Sequence, residues 1–111
     1  MASGCLHPNA GQRQRVVAYA WVVSPTVGTS IEAQVERIRR HCVEQEWEVA
    51  SELVSRRFPE LVELSRRVLE TEAPRVVMTQ EALADLERRF PEVWGEVRAR
   101  LEARRVTIVP C

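Results

Sequence analysis

Apolar positions along this chain fall into short continuous runs separated by helical stripes. Arg15-Val16-Val17-Ala18-Tyr19-Ala20-Trp21-Val22-Val23 is almost wholly apolar between polar flanks, the pattern of a strand buried on both faces. Ser24 to Gly28 contains Pro25 and Gly28 and predicts a loop. Thr29-Ser30-Ile31-Glu32 places a hydroxyl three residues before a Glu, the capping-box signature of a helix start. In the helix that follows, Ile31, Val35, Ile38 and Cys42 share one face, and Glu36 and Arg40 form an i,i+4 pair on the other. Trp47 to Val54 alternates for much of its length and predicts a second strand. Glu60 to Thr71 predicts a second helix with Leu61, Leu64 and Val68 inward and Leu69 beside them. Pro74 to Thr79 is a short third strand. Leu83, Leu86, Phe90, Val93, Val97 and Leu101 then recur at helical spacing. Pro91 should kink that helix or restart it, because proline fits only a first turn. Val106 to Val109 closes the series as a fourth strand.

Strands that alternate with helices imply βαβ units. The expected fold is a three-layer α/β sandwich on a mainly parallel four-stranded sheet, with the first strand at its centre. A functional site in such a sheet lies beyond the carboxyl ends of the strands. Those ends are Val23-Ser24, Ser55-Arg56-Arg57, Thr79-Gln80 and Pro110. Residues 1–14 carry Gly, Pro, Asn, Ser and Gln without periodicity and are expected to form a flexible tail. That leaves 15–111 as a single domain.

Composition narrows the function classes. The chain has 111 residues, 45% hydrophobic, with sixteen basic side chains balancing sixteen acidic ones. A net charge of zero gives no chain-wide attraction to nucleic acid or anionic membrane. Every basic residue is Arg, and Asp85 is the single Asp among the acids; a GC-rich coding sequence accounts for that bias. No apolar run reaches the roughly 18 residues of a membrane span, and no secretory signal opens the chain. Cys5, Cys42 and Cys111 are odd in number and scattered, which fits a reducing, cytoplasmic setting rather than a disulfide framework. No cofactor is called for.

Several chemistries are excluded by their missing parts. No G-x-G-x-x-G follows the first strand and no G-x-x-x-x-G-K-S/T occurs. The first strand ends in Val-Val-Ser, without the clustered acids of a phospho-acceptor receiver. His41 and Cys42 are adjacent on a helix and cannot face one metal ion together. His7 in the tail and His41 late on a helix are badly placed to serve Ser24 as a triad base.

One resemblance is more specific. Arg15-Val-Val-Ala-Tyr-Ala-Trp-Val-Val-Ser, then Ser30-Ile-Glu-Ala-Gln34 opening a basic helix that carries Cys42, then Glu46-Trp-Glu-Val, is similar to the start of a serine recombinase of the resolvase/invertase type. That family opens with a strand near Y-x-R-V-S, a helix starting S-x-x-x-Q and a strand near G-W-E-V. Phe58-Pro59-Glu60-Leu61 resembles its R-P-x-L segment, Val76-Val77-Met78 its third strand, and Leu101 to Val106 its L-x-A-x-G-V segment. The resemblance implies a resolvase-like fold and a chemistry in which a serine hydroxyl attacks a DNA phosphodiester, forming a phosphoserine link. Several Arg side chains would clamp the anionic phosphoryl group.

The departures fall on the reactive places. Trp21 stands where Y-x-R-V-S has Arg, and Val23 takes the nucleophile's place, with Ser24 one residue beyond. Phe58 replaces the Arg of R-P-x-L. The family's D-R-L-x-R aligns with Asp85 to Arg89, keeping Asp85 and Arg89 but losing the first Arg to Leu86; a register shifted by one uses Ala84 and Arg88 instead. Family members continue past the fourth strand into a dimerisation helix and a DNA-binding part, so the resemblance implies a truncated, degenerate relative. The site residues are then Ser24, Asp85 and Arg89 for catalysis, and Arg56, Arg57 and Arg88 for phosphate or DNA. Three alternatives stay open: an inactive relative acting as a protein-binding or regulatory module, an active strand-transfer enzyme using Ser24, and an unrelated small ligand-binding domain. The expected partners are DNA, bound weakly, and a second copy or another protein docked on the last helix through Val93, Trp94 and Val97.

Overall fold

The structure, a computed structural model, describes residues 14–23 and 29–111. Among them the chain runs β1 (Arg15–Trp21), α1 (Ile31–Gln45), β2 (Glu48–Ser55), α2 (Leu61–Thr71), β3 (Arg75–Met78), α3 (Gln80–Arg89), α4 (Pro91–Ala103) and β4 (Thr107–Pro110). The sheet order is β2-β1-β3-β4 and every neighbouring pair is parallel. The expected α/β fold with β1 in the interior is therefore the one found. Expected boundaries move by one or two residues; β1 stops at Trp21, ahead of Val22 and Val23.

Residues 16–21 of β1 are all buried, and alternation along the strand feeds two cores. Val17, Tyr19 and Trp21 pack with Leu64 and Val68 of α2, Leu86 of α3 and Trp94 of α4. Val16 and Ala18 pack with Ile38 and Cys42 of α1. One helix thus covers one face and three cover the other. The connection to β2 and the later ones run in opposite directions across opposite faces, so all crossovers share one hand, as strand twist favours. The edge strand β2 has a guard. Arg67 Nη1 on α2 donates to the Glu52 carbonyl at 3.0 Å and to Ser51 Oγ at 3.2 Å, occupying backbone that would otherwise invite another strand.

The helix ends follow local chemistry, with one correction. Ser30, not Thr29, caps α1, its hydroxyl accepting from the Ala33 amide at 3.0 Å. The inward face of α1 also differs: Gln34, Ile38 and Cys42 are buried, whereas Ile31 and Val35 are only partly covered. Two helices close with paired bonds characteristic of a left-handed C-terminal cap. Trp47 and Glu46 amides reach the Cys42 and Val43 carbonyls after α1, and Val106 and Arg105 amides reach Leu101 and Glu102 after α4. Arg105 stands at the glycine of the L-x-A-x-G-V pattern and still holds φ 64°, a conformation that costs an ordinary residue about 1 kcal/mol or more.

The restart expected at Pro91 is found. Phe90 ends α3 and Pro91 starts α4 at its first turn. The inward face of α4 keeps the expected Val97 and Leu101 but opens on Trp94 rather than Val93. Leu86 stays buried, Trp94, Val97 and Leu101 become the inward positions of α4, and Val93 is left exposed. The docking patch expected on Val93, Trp94 and Val97 is therefore corrected: Trp94 is 2% exposed and belongs to the core. Its indole N–H finds no acceptor among the described residues, which offsets part of the gain from burying the ring.

Two stability measurements follow. In denaturant unfolding, Trp94→Ala should lose about 3–5 kcal/mol, the usual cost of emptying a large aromatic site, while Val93→Ala should lose under about 0.5. Arg105→Gly should raise stability by about 0.5–1 kcal/mol, since glycine relieves the positive φ at some entropic cost.

Candidate functional site

The sheet order places a change of direction at β1, with α1 leading one way and the later connections the other. In open α/β sheets the crevice at such a point, outside the carboxyl ends, is where ligands bind. The residues gathered there begin with the end of β1. Gln34, fully buried on the first turn of α1, receives the Trp21 amide on its Oε1 at 3.2 Å and donates its Nε2 to the Trp21 carbonyl at 2.7 Å. A side-chain amide thus completes both backbone groups of Trp21 as a neighbouring strand would. The sequence marked Gln34 only through the S-x-x-x-Q spacing; its burial was hidden because a lone Gln on a helix normally faces water.

The Trp21 ring is the hub on the other face. Its Nε1 donates to the Ala82 carbonyl at 3.2 Å, and Phe90 meets it edge-on at 5.8 Å between centroids. The Arg89 guanidinium lies 5.3 Å above the same ring and 5.5 Å from Phe90, within cation–π range. Asp85, with its side chain fully buried, accepts from Arg89 Nη1 at 2.9 Å and also from Arg88. The structure therefore brings together three of the expected site residues, Asp85, Arg88 and Arg89, with Trp21. A buried carboxylate needs such partners to remain ionised at tolerable cost.

The remaining expected residues lie apart from that cluster. Arg56 and Arg57 follow β2, beside β1: the Val22 amide bonds the Ser55 carbonyl at 3.0 Å. Arg56 stands 3.8 Å from Glu32 in an ion pair. Arg57 is exposed and forms no ion pair among the described residues. Val23, in the nucleophile's place, is 6% exposed. Ser24, the expected displaced nucleophile, lies outside the described residues. No group of three or more His, Cys, Asp or Glu gathers for a metal among the described residues, and no helix is long and apolar enough to cross a membrane.

One further buried hydroxyl pair secures this edge. Tyr19 Oη donates to Ser55 Oγ at 3.3 Å, and Ser55 Oγ also accepts the Glu60 amide at 3.2 Å, tying β1 and β2 to the entry of α2. Burial pushes the Tyr19 phenol up to about 12. Burial likewise raises the Cys42 thiol to about 11, which leaves it an inert core residue.

No protein-family model and no curated protein matches this chain. Among solved structures, the C-terminal catalytic domain of ISC1926 TnpA, an IS607-like serine recombinase, is similar with a TM-score of 0.62 and 20% sequence identity. The match covers 86% of this chain and 66% of that one. At that identity the likeness establishes a serine recombinase-like fold.

Two predictions test this edge. Gln34→Leu strands two buried backbone groups of Trp21 and should cost about 2–4 kcal/mol in denaturant unfolding. The Tyr19 phenol favours its neutral form in the folded state, so its stabilisation is fully present below pH 10 and fades as pH rises towards 12. Ultraviolet titration of the sole tyrosine should give a midpoint near 12 while the chain remains folded.

Proposed function

We propose that this chain is a serine recombinase-fold module that does not transfer DNA strands by itself and acts through binding, to protein first and to DNA weakly. One observation carries the proposal: the place where Y-x-R-V-S has its arginine holds the buried ring of Trp21, and Arg89, the guanidinium over that ring, is already engaged by Asp85. Phosphoryl transfer needs donors aimed at charge that develops on the phosphoryl oxygens. Arg88 and Arg89 share one buried carboxylate, and Arg56 pairs with Glu32. Among the described residues, Arg57 alone of the expected clamp residues forms no ion pair with a carboxylate. Loss of one clamping arginine from a phosphoryl-transfer site lowers rates by roughly 10³–10⁵. Val23 has no oxygen with which to attack phosphorus.

The competing reading is strand transfer through Ser24, with Asp85 and Arg89 as catalytic groups and Arg56, Arg57 and Arg88 on phosphate. Its support is that Asp85, Arg88 and Arg89 do lie at the end of β1. Supercoiled plasmid incubated with the purified chain, then quenched with detergent, separates the two. Neither nicked product nor a covalent protein–DNA adduct is expected. A phosphoserine adduct that disappears in Ser24→Ala would overturn the proposal. Duplex binding near physiological salt should be no tighter than about 1 μM, within the range of non-specific contacts, as measured by fluorescence anisotropy against salt.

A further inference from the structure

The amino edge of the sheet, opposite the candidate site, carries a second concavity. The carboxyl ends of α2 and α4 come together there, ahead of β3 and β4, and a recess of about 470 Å³ opens between them. That volume lies within the range of small-molecule pockets. Its apolar walls are Val68, Leu69, Ala73, Pro74 and Val106. Val68, Ala73 and Val106 belong to the core, whereas Leu69 is 49% exposed. The recess is therefore backed by close-packed interior and keeps apolar surface open to a ligand.

The charged groups of the recess are Glu72, Arg104 and Arg105. All three are exposed, and none is in an ion pair among the described residues, unlike every arginine of α2 and α3. Helix capping does not consume the two guanidiniums, because backbone amides meet the Leu101 and Glu102 carbonyls at the end of α4. The backbone points the same way. Glu72 and Arg105 hold φ 54° and 64°, a region in which glycine is under less strain. Both positions instead bring an ionisable side chain to the rim of one recess. Strain kept at two places around a single concavity is a pointer to binding.

Two guanidiniums against one carboxylate leave one positive charge beside an apolar floor. We infer that this recess binds a small monoanion with an apolar body, a medium-chain carboxylate. The hydrocarbon chain covers Leu69, Pro74 and Val106, and the carboxylate meets Arg104 and Arg105 through charge-assisted hydrogen bonds. Glu72 sets the charge limit. A phosphate monoester carries close to two negative charges at neutral pH, and the second is opposed by the Glu72 carboxylate, which selects for a single charge.

Octanoate is the probe, titrated into the isotopically labelled full chain and followed through amide chemical shifts. Saturable shifts centred on Leu69, Ala73 and Val106 are expected, with a Kd of about 1 mM or tighter, the affinity open to a ligand of about ten non-hydrogen atoms. Octan-1-ol and octylammonium should each bind at least about tenfold more weakly, since neither offers the anion. Arg104→Gln and Arg105→Gly should each weaken octanoate about tenfold, as loss of a charged hydrogen bond does. Arg105→Gly is the sharper variant: it relieves the positive φ, so weaker binding in that protein does not come from a less stable fold. Glu72→Gln should tighten octanoate. Shifts that are absent or scattered over the surface, octan-1-ol or octylammonium bound as tightly as octanoate, Arg105→Gly protein that binds octanoate like the parent, or Glu72→Gln protein that binds it more weakly would each overturn the inference.

Discussion

Burial of β1 on both faces is the constraint from which the rest of this structure follows. A strand between two layers must present apolar side chains in both directions, and 16–21 do so without exception. It must also find partners for every backbone polar group, because no water reaches them. Along most of its length β2 and β3 supply those partners. At its carboxyl end, where β3 pairing has stopped, Gln34 completes Trp21. The hydroxyls of Tyr19 and Ser55 fasten β1 to β2 and to the entry of α2. The edge where a ligand would bind is thus part of the same satisfied, close-packed interior.

That continuity governs the electrostatics of the site. Strand transfer at the end of the first strand would need free guanidiniums there to meet a phosphate. Here the strand end carries an indole, and its surroundings are arranged around that ring. Arg89 lies against Trp21 and Phe90, and Asp85 is buried beneath both basic residues of α3. An arginine held by a buried carboxylate and an aromatic face supports structure more readily than it follows charge through a reaction. Elsewhere too the arginines stand largely in ion pairs on helix surfaces, with Glu63, Glu70, Glu87 and Glu102 among their partners. The zero net charge of the sequence therefore reflects local neutralisation and not opposed basic and acidic patches.

The helices on the three-helix face divide the remaining work. Helices α3 and α4 turn their large apolar positions inward, apart from the exposed Val93. Helix α2 keeps an apolar stripe outside. Exposed apolar side chains on this face, among the described residues, are therefore Val62 and Leu69 of α2, Phe58 ahead of it and Val93 on α4.

The sequence by itself determined the order and type of the elements. Continuous apolar character from Val16 to Trp21 requires double-sided burial, Pro and Gly mark the breaks, and the strand–helix alternation leads to a parallel sheet with β1 inside. It also pointed to Asp85, Arg88 and Arg89 as neighbours at one edge, through motif spacing. Only the tertiary structure decided what those residues do. Side-chain pairing between α3 and the end of β1 depends on packing across sixty residues of chain, which no local pattern encodes. The same holds for Gln34, whose polar character predicts solvent until a strand end needs an amide. Trp94 rather than Val93 joins Val97 and Leu101 inside, because 94, 97 and 101 lie on one helical stripe and one residue along a helix turns a side chain through about 100°. Periodicity reads each helix alone; which face meets the core is set by the sheet on which it lands.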